Sequence, residues 1–181
     1  MSEQINRLVV VGLGLIGSSL AKAAKDRGLC REVIGCSRSP DTLVKAMKAS
    51  VVDRVAERIE DVAGELGEGD VVVIGVPTLT VPSIIRRLKP LLSDAVTVTD
   101  VASVKGSVVS AVRDVYGCTP SQFVPGHPIA GSEKSGVDAV NPELFDDHRV
   151  ILTPLSETGS NHLQRVQSLW EGVGAVVSKM S

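Results

Sequence analysis

Three glycines, Gly12, Gly14 and Gly17, stand at G-x-G-x-x-G spacing within Gly12-Leu13-Gly14-Leu15-Ile16-Gly17. They follow the β-branched run Leu8-Val9-Val10-Val11, and Ile16, Leu20 and Ala24 then recur every four residues. Strand, glycine turn and helix in that order make an anion cradle. The first glycine permits a tight turn, the second lets the backbone approach a pyrophosphate, and the third lets helix and strand pack closely. Unpaired amides at the helix tip, around Leu15, Ile16 and Gly17, then meet the phosphates with the positive end of the helix dipole. Gly12, Gly14, Leu15, Ile16 and Gly17 are therefore expected to hold a dinucleotide. About twenty residues on, where a carboxylate would bind a ribose 2′-hydroxyl, stands Cys36-Ser37-Arg38-Ser39 instead. Arg38 can pair with a 2′-phosphate, and Ser37 and Ser39 can add hydrogen bonds. NADP is the preferred cofactor on this reading and NAD the alternative; an ordinary surface arginine is the plainer account of Arg38.

Two further segments concentrate reactive side chains. Thr99-Asp100-Val101-Ala102-Ser103-Val104-Lys105-Gly106 falls where a strand gives way to a helix. Gly126-His127-Pro128-Ile129-Ala130-Gly131-Ser132-Glu133-Lys134-Ser135-Gly136 carries a histidine, a carboxylate and hydroxyls on a glycine-bounded loop. Carboxyl ends of parallel strands border the ligand crevice, so Val76, Pro77, Asp100 and Val101 are expected beside the cofactor. Asp100 reads equally as a loop-orienting group or as one facing the nicotinamide. A lone histidine is more often a plain polar loop residue than a base.

The elements that must position these residues follow from apolar periodicity. Continuous apolar runs predict strands over 8–11, 33–36, 71–74 and 96–99, with one more over 122–125. Helices are expected from Ile16 to near Gly28, over 40–49 with Ser39 as cap and Pro40 first, and over 105–116. Another carries Ile84, Ile85, Leu88, Leu91 and Leu92 on one face. Alternating strands and helices imply an α/β fold, a doubly wound, mostly parallel sheet of Rossmann type in three layers. Residues 126–141 show little periodicity and read as a functional loop. A strand over 150–152, a helix with Leu163, Val166, Leu169 and core Trp170, and a strand over 175–177 complete one domain, 1–181.

Composition excludes other classes. Hydrophobic residues are 43% and charged residues 22% of the 181, enough for a core and against general disorder. A net charge of −2 offers no basic footprint for nucleic acid. No apolar run has bilayer-spanning length, and the first residues show no signal region, so a cytoplasmic protein is expected. Cys30, Cys36 and Cys118 lack metal spacing and read as reduced, buried thiols. His148 fits a solvated turn and His162 a first helical turn. No metal site is expected.

Gly-Leu-Gly-Leu-Ile-Gly-Ser-Ser from Gly12, Asp-Val-Ala-Ser-Val-Lys from Asp100 and Gly-His-Pro-Ile-Ala-Gly-Ser-Glu from Gly126 occur in order. In these pieces, and from about residue 8 through 153, the chain resembles the prephenate/arogenate (cyclohexadienyl) dehydrogenase family. That resemblance implies oxidative decarboxylation of a cyclohexadienol in tyrosine biosynthesis. His127 would take the proton of the ring 4-hydroxyl, for which a near-neutral pKa suits it, and Ser103 would orient it. Ser132 and Glu133 would contact the substrate; Lys105 reads equally as a partner of a substrate carboxylate or as a surface lysine at a helix start. The family's helical C-terminal dimerisation domain, which makes its members homodimers, is expected to be absent, leaving a chain that binds NADP(H) but turns over prephenate slowly or not at all. Two other readings stand beside this one. A β-hydroxyacid or imine dehydrogenase would draw its base from another position, and a non-catalytic NADP-sensing module would need none. Prephenate and arogenate, differing in a pyruvyl or alanyl side chain, are not distinguished.

Overall fold

The apolar runs are continuous because their strands are covered on both faces. Leu8 and Val10 pack with Val71 and Val73 on one side of a sheet; Val9 and Val11 pack with Val72 and Ile74 on the other. A computed structural model of the chain describes residues 4–131 and 134–180. The elements are β1 (Ile5–Val11), α1 (Leu15–Asp26), β2 (Cys30–Cys36), α2 (Pro40–Lys48), β3 (Arg54–Ala56), α3 (Glu60–Ala63), β4 (Val71–Ile74), α4 (Val81–Leu88), β5 (Thr97–Asp100), α5 (Lys105–Tyr116), β6 (Phe123–Val124), β7 (Gly126–Pro128), β8 (Arg149–Leu152), α6 (Ser160–Gly172) and β9 (Val176–Lys179).

Six strands form a parallel sheet in the order β3-β2-β1-β4-β5-β6. Helices α1, α2 and α6 cover one face, and α3, α4 and α5 cover the other, giving the expected three layers. The chain moves outward from β1 to β3, then returns to β4 on the other side of β1. That reversal opens a crevice at the carboxyl ends of β1 and β4, where such sheets take ligands. Ser39 caps α2 as expected, its hydroxyl accepting from the Thr42 amide at 3.3 Å. Trp170 is fully buried, edge-on to Phe145 with ring centroids 5.1 Å apart.

The structure departs from the sequence reading in five places. Helix α4 ends at Leu88, just before Pro90, so Leu91 and Leu92, read on its face, lie beyond it. β3 and α3 were unforeseen, since three- and four-residue elements are too short to show a period. The stretch read as wholly irregular begins with a strand, so His127 lies on β7, opposite Ile151 of antiparallel β8. Strands β8 and β9 do not extend the parallel sheet; they join β7 in a second, three-stranded sheet, β7-β8-β9. Cys118 is exposed, just past the left-handed Gly117 (φ 77°) that ends α5. Cys30 and Cys36 are buried, and burial pushes both thiols up to about 12. No helix among the described residues is long and apolar enough to cross a membrane.

Candidate cofactor cleft and active site

Each glycine of the first loop meets a different local demand. Gly12 has φ 101°, and a Cβ there would come within 2.7 Å of the Gly75 backbone, so turn and strand spacing both require it. A Cβ on Gly17 would overlap the Gly12 carbonyl oxygen, which fixes how closely α1 sits on β1. Gly14 is the opposite case, with φ −78° and nothing within 4 Å of a built Cβ. The space over Gly14 is open, as close approach of a phosphate needs. No side chain caps α1, and its first turn holds no acid. Its leading amides are left to an anion.

A cleft of about 310 Å³ extends from this loop across the carboxyl ends of β1, β2 and β4. It gathers Gly12, Ser37, Arg38, Ser39, Val76 and Pro77, all six among the expected cofactor contacts. Arg38 is exposed and makes no hydrogen bond or ion pair among the described residues. Arg87, across the cleft, is engaged: its guanidinium donates to both Glu60 oxygens at 2.7 and 2.6 Å and holds that carboxyl down to about 2. Sequence reading missed the wall formed by Glu57, Ile59, Thr80, Ser83, Ile84 and Arg87. Glu57 and Ile59 follow the unforeseen β3 and carried no local signal. Thr80, Ser83, Ile84 and Arg87 fall at helical spacing, which marks one face of α4 and its approach.

Asp100 lies at the carboxyl end of β5 and is fully buried. Its Oδ2 accepts from the Ala102 amide at 3.0 Å and from the Lys105 ammonium, and its Oδ1 accepts from the Gly126 amide at 3.2 Å. Burial pushes the Asp100 carboxyl up and the Lys105 ammonium down, while each partner's charge pulls the other back. Of the two roles read for Asp100, the structure places its side chain in the loop-orienting one. Val101 continues the strand end, its amide on the Ile74 carbonyl at 3.3 Å.

Ala102 immediately precedes Ser103, and Gly126 immediately precedes His127, so one carboxylate joins the segments carrying both. Ser103 is exposed and His127 partly so; neither side chain has a hydrogen-bond partner among the described residues. Both are therefore free to meet a ligand. Ser132 and Glu133 lie outside the described residues. The other histidines sit apart: His148 bonds the Asp146 carbonyl at 2.9 Å on the surface, and buried His162 pairs with Thr97 Oγ1 at 2.6 Å. Among the described residues no group of three His, Cys, Asp or Glu is placed to hold a metal ion.

Comparison with known proteins adds an independent finding. The family model for the prephenate dehydrogenase nucleotide-binding domain matches residues 20–179. The match begins beyond the glycine loop and includes the Asp100 and His127 segments. A cyclohexadienyl dehydrogenase of Zymomonas mobilis is 34% identical over 96% of this chain and 58% of its own length. A prephenate dehydrogenase of Bacillus subtilis is 33% identical over 100% of this chain and 48% of its own. The chain thus spans about half the length of these relatives. The solved prephenate dehydrogenase from A. aeolicus, in complex with hydroxyphenyl propionate and NAD+, is similar at 35% identity with a TM-score of 0.90. It is covered over 62% of its chain and covers 100% of this one.

Proposed function

The chain belongs to the prephenate dehydrogenase family, matching its nucleotide-binding domain, and from that premise we propose that it is the cofactor half of a dehydrogenase acting on prephenate or arogenate. Gly14 and the amides of Leu15, Ile16 and Gly17 would hold the phosphates of the dinucleotide. NADP is preferred over NAD because Arg38, without a partner among the described residues, is available to a 2′-phosphate. The bound nicotinamide supplies the hydride acceptor. His127 takes the proton of the substrate 4-hydroxyl, and Ser103 donates a hydrogen bond to the same oxygen. Hydride leaves the carbon bearing that oxygen, which takes on carbonyl character; the ring carboxylate then leaves as CO2, its bonding electrons aromatise the ring, and the oxygen regains a proton as a phenol. Lys105 gives Asp100 one of its three N–H donors and keeps two for a substrate oxygen. Ser132 and Glu133 are assigned to the substrate by motif position.

The observation that carries this reading is the single carboxylate of Asp100, tied both to the amide beside Ser103 and to the amide beside His127. Those two segments leave β5 and β6 at the same end of the sheet that opens the cleft. The test is His127→Asn. Turnover of prephenate or arogenate should fall by about 10²–10⁴-fold, the contribution of a positioned base, with NADP(H) affinity unchanged. Undiminished turnover of prephenate or arogenate would remove His127 as base; activity on a β-hydroxyacid or imine that survives His127→Asn would favour a dehydrogenase of that class.

A further inference from the structure

We infer that Asp100 is a positioning residue that sets the separation of the Ser103 hydroxyl and the His127 imidazole by clamping the two backbones that carry them. This rests on the reading of His127 and Ser103 as the reacting pair, and it adds a residue whose carboxylate acts through the Ala102 and Gly126 backbones.

The geometry supports it in three ways. First, the two oxygens of one carboxylate go to two chain segments: Oδ2 to Ala102 and Oδ1 to Gly126. A group serving only one loop would not bridge in this manner. Second, the joint is tight. A Cβ on Gly126 would stand 3.0 Å from the Asp100 carbonyl oxygen and 3.4 Å from Thr99 Oγ1, so β5 and β7 meet at a spacing that leaves little slack for a side chain. Third, Asp100 has no exposure to water, where a carboxylate is costly unless fully paired. Lys105 in the first turn of α5 supplies the opposite charge, binding that helix into the joint as well. Among the described residues, every hydrogen-bond partner of the carboxylate lies on a segment that leads to Ser103 or His127.

Positioning matters here because the proton leaves one substrate oxygen toward His127 while Ser103 holds the same oxygen. A shift of about 1 Å between such groups can cost on the order of 10²-fold in rate. Asp100→Asn preserves size but replaces one oxygen with an amide donor, so one of the two backbone N–H groups loses its acceptor.

The experiment is solution NMR of the chain, wild type and Asp100→Asn, read together with turnover. In wild type the Ala102 and Gly126 amides should exchange slowly with solvent. In the variant at least one should exchange roughly tenfold faster or more, the scale of a lost net hydrogen bond. The His127 imidazole resonances should move, whereas the Thr153 amide, bonded to Pro125, should keep its protection. Turnover should fall by about ten- to a hundredfold, with NADP(H) affinity unchanged. A folded variant with unshifted His127 signals and wild-type turnover overturns the inference. If the variant does not fold, wild type still decides, since fast exchange at both Ala102 and Gly126 is incompatible with the clamp. Loss of turnover in His127→Asn but not in Asp100→Asn overturns the clamp alone. If His127→Asn keeps full turnover, the base assignment falls, and amide protection still scores the joint separately.

Discussion

At the scale of single residues, the ribose end of the cleft turns on Arg38. A carboxylate in its place would repel a 2′-phosphate and bind a 2′-hydroxyl. Arg38→Asp should therefore weaken NADP binding by about ten- to a hundredfold, the worth of a charge-assisted hydrogen bond, and improve NAD binding. Titration of both cofactors against both proteins checks this. A wild type that prefers NAD, with the variant unchanged, would refute the assignment. Arg38 was legible because it replaces an expected acid at a fixed distance from the glycines. Glu57 and Arg87 were not, because the cleft wall they form comes from β3 and α4, far from the glycine loop in sequence. Asp100 could be read two ways from its motif. Only the fold brings Gly126 to it and so makes one role visible.

At the scale of elements, the strand–turn–helix unit separates stability from binding. Gly17 is crowded by the Gly12 carbonyl, whereas Gly14 faces open space. Gly17→Ala should cost about 1–3 kcal/mol as α1 is forced off β1, and cofactor affinity should fall with it. Gly14→Ala should leave the urea midpoint nearly unchanged and reduce affinity alone, by intruding where the phosphate lies. Equal destabilisation by both would contradict this division. Elements with several apolar residues in continuous or periodic array were legible as elements, α5 over Lys105–Tyr116 closely, whereas β1 and β2 each begin three residues before their apolar runs and α4 ends at Leu88. β7 was not, since its three residues acquire strand form only by pairing with distant β8.

For the whole molecule, acid sensitivity follows from a histidine far from the cleft. His162 is buried between α6 and β5, against Thr97. Burial, helped by nearby Arg165, lowers its pKa from the ordinary value. The unfolded chain then binds a proton near pH ~6.5 that the folded chain refuses until lower pH. Because the unfolded state holds more protons in that window, stability rises with pH there. The contribution of His162 is present above about pH 6.5 and lost as pH falls through the lowered value. Denaturant midpoints should drop between roughly pH 7 and 5, and His162→Gln should flatten that slope. An unchanged slope would mean that other groups govern it. Glu60, Glu65 and Glu157, all held below their ordinary range, act only at more acid pH. The doubly wound sheet was legible at this scale from strand–helix alternation. The separate β7-β8-β9 sheet was not, because alternation does not say which sheet a late strand joins.

The contrast among the three cysteines has a practical consequence. Thiols held near 12 are almost wholly protonated at neutral pH and poor nucleophiles, so a maleimide dye should spare Cys30 and Cys36. Cys118 is exposed where α5 has run back to the amino end of the sheet, opposite the cleft. A fluorophore attached there gives one defined reporter on unmutated protein, placed to follow unfolding without obstructing ligand entry.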